Sequence, residues 1–309
     1  MDKAQLEQIR TLRSAGEMWD GIARTLNLAG GDGDRLRKRY SRATGAYPDK
    51  TVAIPMHQRP RHDLGGPVRA LVIPDTQIKH GVPTDHLLWA GRFAADKGFD
   101  VIAHVGDWAD NSSLSSYHTQ LSREGERLSK DDDAVKRSLA EFDIGLSGHK
   151  PKLQFMTEGN HEERRDRLVR DFPHLEGSIP KLPFEDYGWK VYPFLQPVAV
   201  NGVWFAHYFT RTAKGWTGKN PHPNAQTMTR REMMSCIAGH TPGLDVYIHP
   251  TSTGLIRGTI AGSFYQHNEE YMGPQGNTYW RGVLVLSRLH NGFYELTEVS
   301  LDFLRENYK

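Results

Sequence analysis

Five short apolar runs in this chain each stop at a side chain able to hold a proton or a metal ion, and no other feature narrows the possible folds as much. "LVIP" stops at Asp75, "VIAHV" at Asp107 with Asp110 just beyond, "FMTEG" at Asn160 and His161, "VWFA" at His207 and "CIAG" at His240. Amphipathic stretches near 84–97 and 131–147 and through "ERRDRLVRDF" separate the first of these runs and predict helices. Strands alternating with helices predict an α/β fold whose sheet is covered on both faces. The later runs "VAVNGVWFAHY", "SCIAGH", "DVYIHP", "LIRGTIAG", "WRGVLVLSRL" and "GFYELTEVSL" read mostly as strands with short connections. In open sheets ligands bind beyond the carboxyl ends of strands, so groups scattered from Asp75 to His240 can share one crevice. Carboxylate, amide and imidazole donors suit manganese, zinc, iron or magnesium, whereas a structural zinc would call for thiolates.

A chain of 309 residues, 38% hydrophobic, can bury one sizeable core and carry a small module beside it. A single cysteine, Cys236, excludes an intramolecular disulfide. "MDKAQLEQIR" has no apolar stretch behind a basic start, and no apolar run approaches the roughly 20 residues that cross a bilayer. The expectation is a soluble, cytoplasmic protein with no membrane partner. Net charge is only +2, so any contact with an anionic polymer needs locally grouped cations.

Such a group lies near the start. Leu6, Ile9 and Leu12, then Ile22, Ala23 and Leu26, then Leu36 and Tyr40 fall at helical spacing, with breaks at Gly16 and "LAGGDG". The third helix, "DRLRKRYSR", carries Arg35, Arg37, Lys38, Arg39 and Arg42. This pattern resembles a helix-turn-helix of the homeodomain-like or resolvase type, which implies a last helix in the major groove of DNA. The other reading is a solvated basic helix in a small all-α bundle. Four prolines and Gly65-Gly66 mark a linker after it, giving residues 1–45 as a helical module, 46–67 as linker and 68–309 as the large domain that carries the five strand-end clusters.

"DTQ", "GDWAD", "GNHE", "AHY" and "GHTP", in this order and each at a strand end, resemble the calcineurin-like metallophosphoesterases. The resemblance implies a β-sandwich flanked by helices and two divalent ions, with manganese the first expectation and magnesium the second. It implies that Asp107 bridges the ions, that Asp75 and Gln77 serve the first, and that Asn160, His207 and His240 serve the second. A hydroxide held between them would attack phosphorus. His161 would be the general acid and Asp110 the carboxylate that orients it. Glu162 reads as a charge for the first turn of the next helix rather than a ligand, and Trp108 as packing beneath the site.

The chain departs from the family pattern where Gln77 and Pro242 replace two histidines of the first metal. That predicts one tight and one weak site, with His249 or His80 as candidates to fill the gap. Phosphoprotein phosphatases have an arginine where Asn111 stands, which lowers that reading. Arg164 and Arg165 read either as phosphate contacts or as solvated helix residues. Arg123, Arg127, Lys130, Arg211, Lys214, Trp216 and Lys219 mark loops that either contact a sugar-phosphate chain or are simply solvated. Joined to the basic helix, these features predict a metal-dependent DNA nuclease, exonucleolytic and with some phosphatase activity. The alternatives are an esterase for nucleotides or other small phosphate esters, and a DNA-binding protein with a decayed esterase domain.

Overall fold

The computed structural model describes residues 3–14, 17–26, 33, 36–37, 39–40, 59–115, 125–213, 216–269 and 276–309. The chain divides into two compact units, Met1–Met56 and His57–Lys309. Within the first, α1 (Lys3–Ser14) and α2 (Trp19–Thr25) bring Ile9, Ile22 and Ala23 together with Leu36, and Leu12, Trp19, Leu26 and Tyr40 close over them. Arg37 and Arg39 lie in helical conformation there, while Arg35, Lys38 and Arg42 fall outside the described residues.

The second unit opens with β1 (Arg61–His62) and β2 (Val68–Ile73), then α3 (His86–Lys97), β3 (Val101–His104), α4 (Leu128–Leu146), β4 (Leu153–Thr157) and α5 (Glu163–Asp171). It continues with β5 (Lys190–Tyr192), β6 (Val198–Val200), β7 (Val203–Ala206), the two-stranded ribbon β8 (Thr210–Ala213) and β9 (Trp216–Pro221), and α6 (Ala225–Glu232). The last elements are β10 (Cys236–Ala238), β11 (Leu244–Thr251), β12 (Gly254–Ala261), β13 (Gly282–His290), β14 (Phe293–Ser300) and α7 (Leu301–Tyr308). Helix α4 starts at Leu128, about one turn before the expected 131, because Arg127 is still extended. No helix among the described residues is long and apolar enough to cross a membrane.

Two six-stranded mixed sheets form, in the orders β14-β13-β2-β3-β4-β5 and β1-β6-β7-β10-β12-β11. In the first, β2, β3, β4 and β5 run parallel; in the second, β7, β10 and β12 do. Successive side chains of a strand face opposite ways. Val68, Ala70 and Val72 of β2 therefore join a core that also holds Phe205 and Ile237 of the other sheet, so the two sheets stack face to face. Leu71 and Ile73 point outward onto Phe93, Leu139 and Phe142 of α3 and α4. On the far side, Trp204, Ala206, Cys236 and Ile260 pack on Ala225 and Met228 of α6. Full burial of each such aliphatic side chain contributes about 1.5–3 kcal/mol. The result is helix, sheet, sheet, helix, with the carboxyl ends of β2, β3, β4, β7 and β10 free to carry chemistry.

Helices α3 and α4 approach each other at two glycines. A β-carbon on Gly91 would run into the Phe142 carbonyl, and one on Gly145 into the Leu88 carbonyl.

Candidate metal centre

The turns after β2 and β3 are built as one piece. Thr76 and Gln77 both donate their main-chain N–H to the Asp107 carbonyl, at 3.1 and 2.9 Å. Ile78 donates to the Trp108 carbonyl, and Asp110 returns a bond to Ile78. Gln77, Asp107 and His240 all sit at positive φ (42, 54 and 70°), a region costly for residues other than glycine and frequent at functional sites. Gly106, at φ 99°, lies against the His207 ring, and a β-carbon there would collide with it.

Donor atoms of Asp107, His207 and His240 lie within 4.8 Å of one another. The Asn160 side-chain oxygen stands among them, 2.9 Å from His207 Nε2 and 2.7 Å from His240 Nδ1. His207 Nδ1 lies 3.0 Å from the Val105 carbonyl, which fixes the ring so that Nε2 faces Asp107 Oδ2 at 3.3 Å. A second partner on the far nitrogen is the usual way a ligating imidazole is oriented. The donor set, one carboxylate, one amide oxygen and two imidazoles, fits a hard or borderline divalent ion.

Asp75 is placed differently. Both of its carboxylate oxygens accept the His240 main-chain N–H, at 3.1 and 3.0 Å. Burial pushes it up to about 8, against the pull of His207. Asp107 is equally buried, yet the charges of His161 and His207 outweigh burial and hold it well below the usual carboxylate range. Burial would lower His207, but Asp107 overrides it and raises the imidazole to about 9. His240 is lowered to about 4, by burial and by the neighbouring His207.

His161 sits at the rim, its side chain 15% exposed, with Nε2 3.6 Å from Asp107 Oδ2 and Nδ1 3.0 Å from Asp110 Oδ1, off the line of a straight hydrogen bond. Burial would lower it, but Asp107 and Asp110 together raise it. Its main-chain N–H donates to Asp107 Oδ1 at 2.9 Å.

Glu162 corrects the sequence expectation. Its carboxylate turns inward instead of charging the helix start, accepting the N–H groups of Asp107 (3.0 Å), Ala109 (2.9 Å) and Gly159 (2.8 Å). The motif's spacing alone gave no sign of this tie between the β3 and β4 turns. Arg164 Nη1 donates to the Asp110 carbonyl at 2.5 Å and lies 3.1 Å from its Oδ1. Arg165 Nε donates to Asn111 Oδ1 at 2.9 Å, and its guanidinium also reaches Asp132 and the Pro180 carbonyl. Both arginines are buried and neither is a solvated helix residue. To grip a phosphate they would have to leave these acceptors. Asn111 closes the ring by donating to the His161 carbonyl at 2.9 Å.

His249 is removed from the centre by strand direction. It lies on β11, which runs antiparallel to β12, and pairs with Ile256 of β12, while the Leu244 end of β11 pairs with Ala261 near the site. Five residues of extended chain separate His249 from that end by about 17 Å. His80 is exposed. Trp108 packs beneath the turns, fully buried, with Nε1 donating to Ser138 Oγ at 2.9 Å. Arg127 and Lys130 are exposed, whereas Arg123 and Lys214 and the side chains of Arg211, Trp216 and Lys219 lie outside the described residues. Two groups escaped sequence reasoning. His104, lowered to about 3 by burial, lies 3.2 Å from Thr76 Oγ1 and braces the β2 turn. Lys79 lies 3.3 Å from Asp110 Oδ2. Neither the family models nor the curated proteins contain a match to this chain.

Proposed function

We propose that the His57–Lys309 unit is a metal-dependent phosphoesterase, and that its substrate is the phosphodiester backbone of DNA. The observation that carries this is the convergence of Asp107, His207 and His240 donor atoms within 4.8 Å from the ends of three strands in two sheets. Together with Asn160 these residues would hold one divalent ion, manganese first and magnesium second. Asp75, Gln77 and the shared Asp107 would offer a second, weaker position, because Gln77 and Pro242 stand where the family pattern has two histidines. Ions at such positions supply a nucleophile derived from water at neutral pH and neutralise charge on the phosphoryl oxygens.

The chain's own groups then account for the rest. His161 carries its Nε2 on the side of Asp107, and with its affinity for protons raised it would hold one there to hand to the leaving oxygen. Asp110 sits behind the ring on Nδ1 and keeps it oriented and charged. Asp107 and Asp75 are buried, which would limit competing water there. Asn111 is consumed by His161 and Arg165, which leaves that position without the cation a phosphoprotein phosphatase would use. The basic residues Arg35, Arg37, Lys38, Arg39 and Arg42 of the first unit would supply phosphate contacts that hold the enzyme on DNA as a helix-turn-helix does.

The test is cleavage of end-labelled single- and double-stranded DNA with manganese, beside a model phosphomonoester, using Asp107→Asn as control. DNA degradation is expected to fall at least about a hundredfold in the variant, the scale of losing charge stabilisation in the transition state. Turnover of the monoester alone would transfer the proposal to a small-ester phosphatase. Binding without turnover in any divalent ion would indicate a decayed esterase.

A further inference from the structure

Lys79 enters the surroundings of the candidate centre from the turn after β2. Its Nζ lies 3.3 Å from Asp110 Oδ2 and 3.1 Å from each oxygen of Glu269. Glu269 Oε1 lies 2.7 Å from His267 Nε2. On its other side, Asp110 Oδ1 faces His161 Nδ1 at 3.0 Å and Arg164 Nη1 at 3.1 Å. His161, Asp110, Lys79, Glu269 and His267 thus form a continuous chain of ionisable groups. It ties the turns after β2 and β3 to the segment between β12 and β13.

The geometry separates two roles that a lysine beside a phosphoesterase centre could have. An ammonium has three N–H donors, and three carboxylate oxygens surround this one. Its side chain is 18% exposed and that of Glu269 only 3%, so the pairs are poorly screened and leaving them would strand buried charges. Lys79 is therefore committed to protein oxygens and not open to a phosphate. Asp110 is fixed at both side-chain oxygens and at its main-chain carbonyl, where Arg164 bonds it. A carboxylate held at three points can hold the imidazole resting on it.

We infer that Lys79 is a positioning residue: acting through Asp110, it fixes the His161 ring with Nε2 toward the leaving oxygen, and Glu269 is the counter-ion that keeps it there. The inference rests on the phosphoesterase reading above. A general acid matters in proportion to the basicity of the group that departs, since a weakly basic leaving group needs no proton. A residue that merely supports the fold would affect all esters alike.

The experiment compares the manganese-loaded full chain and its Lys79→Met variant on two phosphodiesters, a 4-nitrophenyl ester and an unactivated alkyl ester. The expected result is a fall in kcat of about ten- to a hundredfold on the alkyl ester, part of the 10²–10⁴ a general acid contributes, with KM unchanged. The fall on the 4-nitrophenyl ester should stay under about threefold by the same argument. In a His161→Asn background Lys79→Met should cost nothing more, because the two act as one unit. Manganese affinity by calorimetry should be unchanged in Lys79→Met, and Lys79→Arg should recover most of the loss. If Lys79→Met fails to fold with Glu269 left unpaired, Lys79→Met/Glu269→Gln removes both charges and carries the same comparison. Equal losses on both esters, a loss confined to KM, or full additivity with His161→Asn would each overturn the inference. Turnover of neither ester by the unaltered protein would instead remove the phosphoesterase reading on which it stands.

Discussion

His207 and Asp75 hold protons that a metal ion at the proposed centre would have to displace. His207 is raised from 6.5 to about 9, so its contribution to stability is complete below pH 6.5 and is lost as pH rises through 9. Asp75 is raised from 3.8 to about 8, so its contribution is lost between those values. Both effects have the same sign near neutrality, and chelator-treated protein should melt at lower temperature as pH rises from 6.5 to 9. Manganese needs the imidazole neutral and the carboxylate charged, so binding should release up to roughly two protons near pH 7 and tighten as pH rises. Calorimetry in two buffers of different ionisation enthalpy counts those protons, and zero release would contradict the assignment of His207. At this scale the sequence was informative: Asp107, Asn160, His207 and His240 each follow a strand, and strand ends can be read from apolar runs. The different electrostatic fates of Asp75 and Asp107 were not readable, because they depend on which imidazoles face each carboxylate.

Among the elements, the turns after β3 and β4 are held by Glu162, and its loss should be felt more in the centre than in helix α5. In Glu162→Gln one acceptor oxygen becomes a donor facing a main-chain N–H. Leaving such a buried group unsatisfied costs about 1–3 kcal/mol. For a unit of this size that corresponds to a melting point lower by roughly 2–12 °C, at about 2–4 °C per kcal/mol. Manganese affinity should fall with it, because Asp107 and Gly159 lose a shared anchor, whereas a residue that only charged a helix start would change neither appreciably. The alternation of strands and helices from β2 to α5 was legible from periodicity, down to shifts of about one turn, whereas β1, β5, the β8-β9 ribbon and helices α6 and α7 were not. Contacts such as Glu162 with Ala109, or Lys79 with Glu269, join segments far apart in the chain and leave no local pattern. His249 shows the same limit: its position at the end of an apolar run suggested a ligand, but only the antiparallel pairing of β11 reveals that it lies at the strand end far from the centre.

On the scale of the whole molecule, the division at Met56 and His57 separates the proposed tasks. The second unit contains its own three apolar cores, so a chain of residues 57–309 should fold and turn over a small phosphodiester at an unchanged rate. Its affinity for DNA should drop, and the dependence of binding on salt should become shallower, since each lost phosphate contact removes about 0.9 from the slope of log affinity against log salt. A binding titration at three salt concentrations checks this, and an unchanged slope would leave the first unit without a nucleic-acid role. The second unit has a mechanical side as well. Asp107 and Asn160 follow the carboxyl ends of β3 and β4 in one sheet, His207 and His240 those of β7 and β10 in the other. An ion held by all four would act as a rivet through both layers of the sandwich, so that the event arming the enzyme would also clamp its two halves together, and a chelator would loosen the scaffold at the same point where it stops the chemistry.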